Sequence, residues 1–190
     1  MYIVLQLPTK CSCNHLHFYF ATTYIFVLQL SVFLLYTKQP DLSQCRKGKD
    51  FGQGFYVTDV RLQAERWASR IATRRLTNPV LNIYEFDMDA VKQSYRYLKF
   101  ESYDKSWLDF IVANRKGKML WKDFDVVEGG VANDNVIDTV EDYIRGRMSA
   151  EAALVELSKH QPNNQFCILN QEIIDKYLRF VESTNIEDHA

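Results

Sequence analysis

Few residues in this chain have the types and spacing that chemistry asks for, and most of them have an ordinary alternative. Cys11, Cys13, His15 and His17 alternate closely enough to be drawn as a metal cluster. No second ligand cluster follows them, which leaves a run that happens to hold polar residues as the favoured reading. Cys45 and Cys167 form no C-x-x-C pair and read as reduced thiols, so nothing requires an oxidising compartment. Asp87 and Asp89 stand where paired carboxylates could do acid–base work, yet a strand exit carries such residues routinely. Gly48, Gly52 and Gly54 precede a strand instead of joining a strand to a helix, the wrong context for a dinucleotide fingerprint. There is no P-loop, no G-x-S-x-G elbow and no H-E-x-x-H. Beyond residue 37 the histidines are His160 and His189, so a Cys–His or Ser–His nucleophile is badly supported.

The elements that would position any site belong to a globular chain. Its 190 residues are 47% hydrophobic, 25% charged and 14% aromatic, enough for one domain with a sizeable core. A net charge of -1 argues against a protein built mainly to hold a nucleic-acid backbone. Arg61, Arg66, Arg70 and Arg74 recur along one helix face, which reads as solvated surface before it reads as a basic patch.

The charge is unevenly spread. Residues 1–37 carry one charged side chain, Lys10, and residues 18–36 carry none. That stretch is long enough to cross a bilayer as a helix, with Lys38, Arg46, Lys47 and Lys49 behind it to hold the remainder in the cytoplasm. It makes a poor secretory signal, because its n-region is almost uncharged and no small-x-small site follows. Its aromatic and β-branched residues also suit buried strands. A start that is misassigned, or a rearranged gene that joined foreign codons to the domain, is the third reading. The division expected is an apolar leader over 1–37, a domain over 38–180 and a polar tail over 181–190 that frays.

Within the domain, a Gly-punctuated loop leads into a strand over 55–57, and Thr58 or Asp59 is placed to cap the helix that follows. Val60, Ala64, Trp67, Ala68, Ile71 and Ala72 fall on one stripe of that helix. Strands are expected over 80–86, 95–100, 124–132 (interrupted by Gly129 and Gly130) and 165–169. Helices are expected over 107–115 after Asp104, around Val136–Ile144 before Gly146, from Ser149 to Leu157, and over 171–180. Without regular βαβ alternation the fold class is α+β with a mainly antiparallel sheet.

Several separated motifs then recur in a familiar order: KGKDFGQGFYVT, QAERWA, NIYEF, WLDFIVANR, GGVANDNV and NNQFC. Together they resemble the bacterial family catalogued as domain of unknown function 3990, over about residues 39–180. That family is grouped with the ADP-ribosyltransferase-like fold, so the resemblance implies a split, mainly antiparallel sheet with an NAD-binding cleft, flanked by helices. It implies transfer of ADP-ribose from NAD to a macromolecular acceptor, in a toxin-like effector paired with a small antitoxin-like partner protein. The family's G-F-Y-L/V-T strand falls on Gly54, Phe55, Tyr56, Val57 and Thr58, which makes Tyr56 the aromatic that stacks on nicotinamide. Its N-x-Q-aromatic-C strand puts Gln165 where ribose hydroxyls are held. Asp50, Phe51, Gly52 and Gly54 would border the cleft with Phe55 and Tyr56. The family's L-Y-H-G-[ST] strand, whose His bonds the NAD ribose, has no counterpart near residues 28–33. The resemblance therefore implies either an impaired transferase or a non-catalytic module that binds NAD or a partner.

Overall fold

The computed structural model describes residues 23–27, 39–130, 134–160 and 163–186. Seven strands form one hydrogen-bonded series in the order β4-β5-β6-β2-β1-β3-β7. They are β1 (Thr23–Val27), β2 (Phe55–Thr58), β3 (Val80–Phe86), β4 (Tyr97–Lys99), β5 (Val126–Gly130), β6 (Asn164–Ile168) and β7 (Leu178–Asn185). The helices are α1 (Arg61–Arg75), α2 (Met88–Ser94), α3 (Lys105–Arg115), α4 (Asp134–Ile144), α5 (Ala150–Leu157) and α6 (Gln171–Tyr177). Every pairing is antiparallel except β4 with β5. The fold is α+β and mainly antiparallel, as the patterning predicts. Its two halves, β4-β5-β6-β2 and β1-β3-β7, meet where β1 and β2 share only two facing residue pairs, Phe26 with Thr58 and Val27 with Val57.

Register decides which side chains share a face, because directly opposed residues point the same way. Tyr56 and Val127 both oppose Cys167, and all three lie in one core layer with Leu81, Trp107 and Val136. Phe55, Val57, Phe166 and Ile168 take the other face, with Ile25, Phe86 and Ile173. Helices cover both faces, so the strands read as nearly continuous apolar runs rather than a clean alternation.

Local chemistry explains most element ends. The Asp104 carboxylate accepts from Trp107 N at 2.9 Å and starts α3, and Ser149 caps α5 in the same way. Thr58 supports the start of α1 from outside: its hydroxyl accepts from Val60 N at 3.1 Å, while the N-cap position is Val60. Ala64, Ala68 and Ala72 are the buried residues of α1, one per turn.

One open reading is decided for five residues, and two expectations need correction. Thr23–Val27 is a strand between β2 and β3 with Ile25 fully buried, so this part of the apolar leader is sheet and not a stretch of spanning helix. The rest of residues 18–36, and Cys11, Cys13, His15 and His17, lie outside the described residues. Asp87, weighed as one of a carboxylate pair, caps a helix that the periodicity does not announce: it accepts from Ala90 N at 3.0 Å and opens α2. The last helix stops at Tyr177, and the tail expected to fray supplies β7, which pairs with β3 along its length. Among the described residues no helix is long and apolar enough to cross a membrane.

Candidate functional site

Tyr56 sits mid-strand on β2, near the centre of the series, and is only 6% exposed. Its hydroxyl accepts from Phe51 N at 3.1 Å and donates to Gly52 O at 2.9 Å. Burial pushes the phenol pKa well above its ordinary value. The loop 50–54 is thus fastened to the tip of the Tyr56 side chain. Arg115 holds Asp50 through two hydrogen bonds at 2.7 and 3.2 Å, and Asn114 Nδ2 donates to Asp50 O at 3.0 Å. Gly52 has φ +106°, and a Cβ there would meet the Trp121 ring at 2.5 Å. Only glycine satisfies both conditions. Phe51 is fully buried, its ring stacked on Phe100 with centroids 6.2 Å apart.

Gln165 opposes Gly129 on β5 and is 6% exposed. It lies two residues from Cys167 on the same face, and so shares the face of Tyr56 about 7 Å further along the sheet. The structure therefore brings Tyr56 and Gln165 together. Gly54 approaches the same neighbour strand closely, since a Cβ there would sit 2.5 Å from Ile168 O. Phe55 goes elsewhere: it points to the opposite face and packs edge-on against Tyr84 at 5.9 Å.

The face that Tyr56 and Gln165 share has a further polar feature. Gln63 Nε2 of α1 donates to Asn164 O at 3.1 Å, which fixes the amide and leaves Gln63 Oε1 buried with no partner. Trp67 Nε1, one turn further along α1, is likewise buried and unpaired. The unpaired Gln63 acceptor thus lies next to the start of β6.

The residue reading passed over Glu128. It is 5% exposed on β5, accepts from the Tyr97 hydroxyl at 2.5 Å and from Asn164 Nδ2 at 3.3 Å, and lies 3.7 Å from Lys99 Nζ. It opposes Phe166 and so occupies the face away from Gln165. Burial first, and then the bond to Glu128, push the Tyr97 phenol pKa up. A glutamate between Val126–Val127 and Gly129–Gly130, inside a strand pattern, was the available signal. No His/Cys/Asp/Glu group among the described residues could hold a metal.

The chain belongs to the family described as Protein of unknown function (DUF3990), whose model matches residues 35–180. No curated protein and no solved structure matches it.

Proposed function

We propose that the chain is an ADP-ribosyltransferase-like protein that binds NAD at the face shared by Tyr56 and Gln165 and transfers ADP-ribose to a macromolecule weakly or not at all. The observation that carries this reading is the sequence of β1. The strand hydrogen-bonded between β2 and β3 is Thr-Tyr-Ile-Phe-Val, and it has no imidazole to bond a ribose. A transferase of this kind works largely by holding its substrate in one orientation, so a missing clamp lowers the rate more than the affinity. Binding is supported by Tyr56 and Gln165 on one face and by the unpaired Gln63 acceptor, whose amide is held at Asn164 next to Gln165 and could take a hydrogen bond from a carboxamide. Stacking on Tyr56 requires the ring to be uncovered, because it is only 6% exposed and its hydroxyl is held by loop 50–54.

The second reading, a non-catalytic module for a small protein partner, is favoured by that same sealed Tyr56. Calorimetry with NAD, alongside transfer of fluorescent etheno-NAD onto cell lysate, separates the two. Saturable binding with background transfer is the expected result. No binding at millimolar NAD leaves the partner module, and strong transfer overturns the impaired site.

A further inference from the structure

We propose that the open edge of β4 and the groove beside it dock an extended acidic and apolar segment of a partner protein, which adds to the sheet as a strand. Among the described residues β4 ends the series and pairs only with β5. Asp125 N donates to Arg96 O and Phe100 N to Glu128 O, so the backbone groups at 96 and 100 face β5. By alternation those of Tyr97 and Lys99 face outward, with no strand among the described residues to pair with. Such an edge is a template for another chain, and main-chain bonds there give affinity while side-chain pockets give specificity.

A pocket lies next to that edge. β4, α3 and the 3-10 turn Leu120–Asp123 enclose a groove of about 670 Å³, lined by Leu98, Phe100, Phe110, Leu120 and Phe124. An incoming strand would hang every second side chain over it. Met119, at the head of the turn, is 46% exposed and held at φ +51°, a conformation a long apolar side chain rarely adopts. Apolar surface held open beside a free edge marks a contact surface.

Charge selects the occupant. Lys116 and Lys118 line the groove, and neither joins an ion pair among the described residues. Of the lining carboxylates, Asp109 is engaged by Lys105 at 2.5 Å, whereas Asp123 joins no ion pair among the described residues because Arg96 is taken up by Asp125, which leaves two lysines against one carboxylate. The uncompensated charge is therefore positive, which attracts carboxylates. A second copy of this chain would bring its own Lys116 and Lys118 against the first pair, so an acidic segment fits better than self-pairing.

The test uses the full chain labelled with 15N and the capped peptide Glu-Leu-Glu-Phe-Glu-Leu, with its lysine counterpart as control. Saturable amide shifts concentrated at residues 97–100 and 118–124 are expected. The lysine peptide, and the variants Lys99→Pro and Leu120→Asp, should each bind at least about tenfold more weakly, a loss of roughly 1.4 kcal/mol. Proline is tolerated at 99 because that N–H faces away from the ladder, and Leu120 is already 36% exposed. The thermal melt of Leu120→Asp should match that of the parent, while Lys99→Pro also removes the cation 3.7 Å from the buried Glu128, so its weaker binding counts only if its amide spectrum away from β4 is unchanged. The proposal is overturned by the absence of saturable shifts, by equal binding of the lysine peptide, or by sedimentation showing that β4 pairs with a second copy. None of these outcomes depends on NAD, so they leave the ligand reading to its own experiment.

Discussion

At the scale of single residues, Tyr56 is a fastener. Its hydroxyl satisfies one donor and one acceptor of loop 50–54 in a buried setting. Tyr56→Phe keeps the ring and strands both backbone groups, and should cost about 1–3 kcal/mol. Urea unfolding reads this directly, and an unchanged midpoint would show that water replaces the hydroxyl at no cost. Cys45 gives a second residue-level expectation. Burial, then the nearby Asp41 carboxylate, raise its thiol pKa to about 11. The thiol therefore stays protonated at pH 8 and should react with Ellman's reagent far more slowly than an exposed cysteine. Because the folded value is raised, its contribution to stability is intact below the unfolded value of about 8.5 and is lost as pH rises toward the folded one. Fast labelling in the folded protein would contradict the burial.

At the scale of elements, β1 matters most. It pairs with β2 on one side and with β3 on the other, and Ile25 is fully buried. Ile25→Ala removes buried apolar volume from a sheet interior and should cost about 2–5 kcal/mol. A thermal melt that does not move would mean that β1 contributes nothing to the core. The patterning showed α1, β3, α3, α5 and β6, because each has its own local signal: an apolar stripe, a β-branched run, an Asp or Ser cap. It did not show α2, whose signal is a single Asp87 cap after a strand. Nor did it show β7, whose residues are partly exposed and polar, and whose extended form rests on pairing with a strand almost a hundred residues earlier.

Across the whole molecule, Asp125 is a contributor to acid stability whose partners come from other parts of the chain. Asp125 accepts two hydrogen bonds from the Arg96 guanidinium at 3.0 and 3.1 Å, and one from Asn170 Nδ2 at 3.1 Å. The hydrogen bond from Arg96 holds its carboxyl below the usual range. A depressed folded pKa means that the stabilisation is present above the unfolded value of about 3.9 and is lost as pH falls through the folded one. Asp125→Asn should therefore lower stability at pH 7 and make little difference at pH 2. Urea unfolding of both proteins at the two pH values checks this, and a gap of the same size at both would refute it.

What the sequence determined alone was local: the α+β class, the ends of the capped helices, and the motifs that tie residues 35–180 to their family. The pairing of Tyr56 with Cys167, and so the common face of Tyr56 and Gln165, was half legible, since alternation sets the face within each strand but not which strands meet. Three matters waited for the tertiary structure. Thr23–Val27 of the apolar run lies between β2 and β3 as a strand, loop 50–54 is bonded to the Tyr56 hydroxyl, and Glu128 is buried against Tyr97. Each depends on contacts between residues far apart in the chain. Hydrophobicity drives such a segment out of water, but it does not say whether lipid, a sheet or another chain receives it; only the assembled neighbours decide that.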